Sequence, residues 1–310
     1  MCTASDDVFA VPEMGGTENT YNYKFAFTVP VEAGTQRLNI DILDYPGGNL
    51  GTSKFVDEVM PHLNASSVLL IPIPADILME WKRTDKINNT HAKKVNILAR
   101  CMLDVADVVS VIKDWAARRA QQDETSLLIF VPIRCEAYFN DNGGSKDESE
   151  ILHEAVQNLY VDALNLSPEM KKMIQIEIQA VDTYGIVELR DISLVGEDGR
   201  EQLVSSFRKR LHCRNEVQAK GAFEVLSTII RFRLNGFAKQ LGVKREELEN
   251  QIASRSFLEK ILVWFYGDAA KKNVVEYIRK YDGAFQAMTV VSKLSTHYPA
   301  RQRVLNELEG

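Results

Sequence analysis

Apolar and polar residues alternate in twos over "YNYKFAFTVPV", residues 21–31, with Phe25, Phe27, Val29 and Val31 on one face and Lys24 and Thr28 on the other. The turn-like link "EAGT" leads into a second alternating run, 36–44, in which Leu38, Ile40 and Ile42 share a face. A short Gly-containing link between two period-two runs predicts an antiparallel β-hairpin. "SSVLLIPIP" (66–74) and "SLLIFVPI" (126–133) are instead continuously apolar, the pattern of strands covered on both faces. Between them Val95, Leu98, Met102, Val105, Val109, Ile112 and Trp115 recur at helical spacing and predict one long helix over about 92–121. A polar, Gly-rich loop follows. Next come an amphipathic helix near 148–165, carrying Ile151, Leu152, Ala155, Leu159 and Ala163 on one face, and a strand over 173–181.

Strands alternating with helices predict an α/β fold with a mostly parallel sheet, to which the hairpin adds an antiparallel edge. From about residue 201 the period becomes helical, with runs near 201–213, 216–241, 244–266, 269–281 and 284–296 and no convincing strand. Two domains are therefore expected: an α/β domain over 1–198, and a helical C-terminal domain or layer over 199–310. The most apolar helical stretch, "FLEKILVWFYG" (257–267), reads first as core and second as a docking face.

Composition narrows this little. The chain has 310 residues, 45% of them hydrophobic and 26% charged, with a net charge of −6. That balance offers no general attraction to nucleic acid or to an anionic membrane. Cys2, Cys101, Cys135 and Cys213 form no C-x-x-C pair and read as free thiols in a reducing compartment, so a cytoplasmic location is expected. The five histidines fall at no metal-ligand spacing, and no G-x-S-x-G elbow is present. Trp81, Trp115 and Trp264 read as core anchors. Asp76, ahead of "ILMEW", reads as a helix N-cap.

One segment points to chemistry. The strand 36–44 ends in Asp44-Tyr-Pro-Gly47. Taken alone this is a turn, since Asp, Pro and Gly all favour one. A hairpin whose second strand ends in D-x-x-G, followed by parallel strands alternating with helices, resembles a Ras-like GTPase domain lacking its first strand and helix. The Asp-Tyr-Pro-Gly form is most similar to the bacterial double-GTPase group of the TRAFAC class, found in conflict-related operons. The resemblance spans roughly residues 15–195. It implies that Asp44 holds Mg²⁺ through water and that the Gly47 amide meets the γ-phosphate of GTP. It makes Thr17 or Thr20 the switch threonine. "IRCE" (133–136) then stands where N-K-x-D reads guanine, with Arg134 in the lysine's place and Glu136 in the aspartate's. A further base contact would come from a backbone amide near Ala180 and Val181.

The phosphate-cradling loop G-x-x-x-x-G-K-[ST] does not occur in the chain. In the family it precedes the switch threonine, and the sixteen residues ahead of Thr17 are too few for a strand, the loop and a helix. After Gly47 stands Gly48, which has no side chain to orient a water. The expectation is a degenerate GTPase-like protein that regulates or scaffolds through a protein partner or a second copy of itself. The first alternative is an active GTP switch, with GTP and Mg²⁺ as cofactors only if the phosphate loop is supplied elsewhere. The second is an α/β binding module unrelated to nucleotides.

Overall fold

The computed structural model describes residues 8–11, 20–31, 34–45, 59–122, 125–135, 149–183, 187–196 and 201–209, with single positions between 221 and 236. It divides into two compact units, Met1–Tyr21 with Leu43–Val225, and Asn22–Ile42 with Leu226–Gly310.

The first unit has mixed α/β architecture. Strands β4 (Val68–Pro74), β5 (Ser126–Ile133) and β6 (Ile174–Ile178) form a parallel sheet in that order. In register, Val68 lies opposite Leu127 and Ser126 opposite Ile174. β5 is buried along nearly its whole length, as the unbroken apolar run predicts for a central strand. β4 is different: Leu69, Ile71 and Ile73 are buried while the residues between them are not. Its two prolines explain part of this. Leu127 N–H donates to Ser67 O at 2.9 Å, so the main-chain groups of 67, 69, 71 and 73 face β5. Those of 68, 70, 72 and 74 face the other way. Pro72 and Pro74 therefore remove two N–H donors from the edge opposite β5, the position at which a sheet tolerates proline.

The single helix expected over 92–121 is two, α3 (Thr90–Met102) and α4 (Val105–Ala120). The break falls at Asp104, whose φ of 45° is left-handed. It frees the Leu103 carbonyl, which accepts a hydrogen bond from the buried Tyr160 hydroxyl at 3.0 Å. The apolar positions that suggested one helix still face the core, with Val95, Val105, Ile112 and Trp115 buried. α3 begins at an Asn89 cap, whose side chain accepts from Ala92 N–H. Helix α2 (Ala75–Asp85) packs on α3 and on α5 (Ser149–Leu159), and α4 packs on the short helices α1 (Met60–Ala65), α6 (Val161–Leu164) and α7 (Pro168–Met173). Trp81 and Trp115 are buried in this core; Trp264 lies outside the described residues.

A second, antiparallel sheet runs β1–β8–β7, from β1 (Val8–Val11), β7 (Val187–Val195) and β8 (Gln202–Lys209). β8 replaces the helix expected over 201–213. Leu203, Val204, Phe207 and Leu211 do recur at helical spacing, but Leu203, Ser205 and Phe207 also share one strand face, and that face is buried. Pairing with strands on both sides decides between the two periods.

The expected hairpin is present as β2 (Tyr21–Val31) and β3 (Gly34–Asp44). Among the described residues it forms a two-stranded sheet rather than an edge of the parallel sheet. No described helix is long and apolar enough to cross a membrane.

Candidate functional site

In parallel sheets the loops beyond the strands' carboxyl ends are the usual place for ligands. Here the ends of β4, β5 and β6 bring together Asp76, Arg134 and Ala180–Thr183. Asp76 is not the N-cap of α2. Pro74 holds that position and makes no side-chain cap, so Asp76 lies inside the first turn, completely buried. Its Oδ2 accepts from the Ser205 hydroxyl of β8 at 2.5 Å. Its Oδ1 lies 3.1 Å from Arg134 Nη2 without a hydrogen-bond partner in good geometry, so charge alone holds that oxygen. The acid sits in the first turn of α2, at the positive end of the helix, and beside the Arg134 guanidinium.

Arg134 directly follows β5 and adopts φ of 59°, a left-handed conformation that costs a non-glycine residue about 1–2 kcal/mol. Three bonds fix it there. Its N–H donates to Thr183 Oγ1 at 3.1 Å. The next N–H, of Cys135, donates to Val181 O at 3.4 Å, and Val181 N–H donates to Pro132 O at 2.7 Å. The segments leaving β5 and β6 are thus zipped together past the end of the sheet ladder.

Gly221 closes the other side of the β6 segment. Its φ is 87°, and a Cβ there would stand 2.3 Å from the Ala180 carbonyl oxygen. Only glycine allows that approach. Neither Cys135, which is buried and donates its thiol to Pro132 O at 3.1 Å, nor the exposed Cys101 is in a disulfide.

No family profile, curated protein or solved structure matches this chain.

The residues expected from the sequence divide as follows. Arg134 and Ala180 lie on the adjoining segments just described, with Ala180 buried. Asp44 ends β3 and is exposed, and Thr20, just before β2, is half-buried. Thr17, Gly47 and Glu136 lie outside the described residues. Tyr45, next to Asp44, packs against the core, and burial pushes its phenol above the ordinary 10.0. Among the described residues no group of three or more His, Cys, Asp or Glu could hold a metal ion. Sequence reasoning missed Ser205 and Thr183 and misassigned Asp76. Asp76 alone carried a signal, as a carboxylate just after a buried strand; Ser205 and Asp76 are 129 residues apart.

Proposed function

We propose that this chain is a GTPase-like regulatory or scaffolding protein that acts by binding other protein surfaces and does not hydrolyse GTP by itself. One observation supports the reading: two of the groups that the resemblance assigns to reading a guanine base are engaged within the protein. Arg134, in the lysine's place of the base-reading motif, is committed to Asp76. The Val181 amide, in the place of the backbone contact, is committed to Pro132. A guanine would have to break both bonds, one of them to a fully buried carboxylate, before gaining any of its own. The missing phosphate loop removes the main source of affinity that could offset this.

Calorimetric titration of the full chain with GTP and Mg²⁺ tests the proposal. The expected result is no heat at millimolar nucleotide. Low-micromolar binding that Asp44→Ala abolishes would overturn it and favour the active switch.

A further inference from the structure

We propose that Arg134 is a conformational latch: its ion pair with Asp76 holds a strained turn closed over Cys135, and the Ser205 hydroxyl makes the latch depend on β8. Among the described residues, Arg134 and Asp104 are the non-glycine residues at positive φ. Aspartate is a type that tolerates this region; arginine is not. Without its side-chain contact, the backbone at Arg134 would relax out of it. The two partners are unequally placed. Asp76 is completely buried, whereas the Arg134 side chain is 22% exposed, so on release it is the guanidinium that turns toward water.

The backbone bonds loosen along the crossing. Val181 N–H lies 2.7 Å from Pro132 O, Arg134 N–H 3.1 Å from Thr183 Oγ1, and Cys135 N–H 3.4 Å from Val181 O, the last beyond the usual range. On the β6 side, Gly221 backs Ala180 with no room for a Cβ. The part able to move is therefore Arg134–Cys135. Its opening breaks the two longer bonds, relieves the φ of Arg134 and uncovers the Cys135 thiol, which is completely buried.

β8 controls this turn through Asp76. Arg134 Nη2 meets Asp76 Oδ1 without good hydrogen-bond geometry, so the contact depends on where the carboxylate is held. Ser205 holds it through Oδ2 at 2.5 Å. Ser205 is in turn fixed by its sheet, opposite Val11 of β1 and Ile192 of β7. The end of the parallel sheet thus senses whether the antiparallel sheet is assembled. No nucleotide or protein partner enters this coupling, so it and the proposed function fail independently.

The test is thiol labelling of the full native chain, read at each cysteine by mass spectrometry at several urea concentrations below unfolding. The exposed Cys101 gives the reference reactivity. A pair that holds the turn must outweigh the left-handed strain, so Asp76→Asn should speed labelling of Cys135 by about tenfold or more. That labelling should hardly respond to urea, because a local opening exposes little surface. Ser205→Ala should act in the same direction, and it decides the matter if Asp76→Asn does not fold. Arg134→Gly discriminates between a latch and a merely stabilising contact. It loses the pair and the strain together, so its Cys135 should open locally at close to the wild-type rate even though the variant is less stable. A wild-type Cys135 that labels as fast as Cys101 would overturn the proposal. So would variants at Asp76 and Ser205 whose Cys135 labelling is unchanged, or rises with urea in step with global unfolding. An Arg134→Gly chain that opens as readily as Asp76→Asn would overturn it too.

Discussion

Arg134 combines an unfavourable backbone with a favourable side chain, and the magnitudes decide which prevails. Glycine at this position would relieve about 1–2 kcal/mol of left-handed strain. It would also leave the buried Asp76 without its counter-charge, at about 3–5 kcal/mol. Arg134→Gly should therefore destabilise the protein by roughly 1–4 kcal/mol in urea unfolding; a gain in stability would mean the ion pair contributes nothing. Ser205→Ala, which removes the hydrogen bond that Asp76 Oδ2 accepts from the Ser205 hydroxyl, should cost about 1–3 kcal/mol. Tyr160 adds a pH dependence. Burial, then Asp104, pushes its phenol well above 10.0, with Arg100 acting the other way. The unfolded chain ionises this phenol near 10.0 and the folded chain does not. Its contribution is thus fully present below about pH 10 and is lost as pH rises toward the folded value. Tyr45 acts in the same sense. Unfolding midpoints measured on either side of that pH should fall more steeply for wild type than for Tyr160→Phe; parallel curves would exclude Tyr160 as the source.

At the scale of elements, what was legible in the sequence was what a single period can encode. β5, the β2–β3 hairpin, the apolar face of α5 and the buried stripe of α3 and α4 follow from local spacing. The break between α3 and α4 does not, because the apolar positions keep their spacing across it and the carbonyl it frees is satisfied by Tyr160, far along the chain. β7 hides its alternation: Val187 and Leu189 continue as Ile192 and Leu194, shifted by one residue at the irregularity between Leu189 and Asp191. β8 carries a serine at the centre of its buried face, and that serine has a partner only in the folded chain. The candidate site was half legible for the same reason: Arg134 and Ala180 stand at strand ends, while Ser205 comes from a sheet that the local pattern concealed. β4 offers a direct test of its edge. Pro72→Val with Pro74→Val would restore two outward donors, and the variant should self-associate or aggregate at concentrations where wild type does not, as light scattering would register. Unchanged scattering would show that the prolines protect nothing.

At the scale of the molecule, the chain enters and leaves each unit more than once: the first is interrupted by Asn22–Ile42, a segment grouped with Leu226–Gly310. The two ends of a hairpin are adjacent, so Tyr21 and Leu43 can be joined by a short glycine linker in place of Asn22–Ile42. In a Trp264→Phe background, where fluorescence reports Trp81 and Trp115 alone, that deletion should preserve a cooperative unfolding transition. Its loss would mean the hairpin is part of the first unit's stability. The antiparallel sheet has a consequence in time. β1 leaves the ribosome long before β8, yet Val8 pairs with Arg208. At 5–20 residues per second, roughly 10–40 s separate the two. The parallel sheet is complete in sequence by Ile178 and can form meanwhile. During that interval β1 is a nascent strand with its partner still unmade, open to whatever meets the emerging chain, and closure of its sheet reports that translation has passed β8.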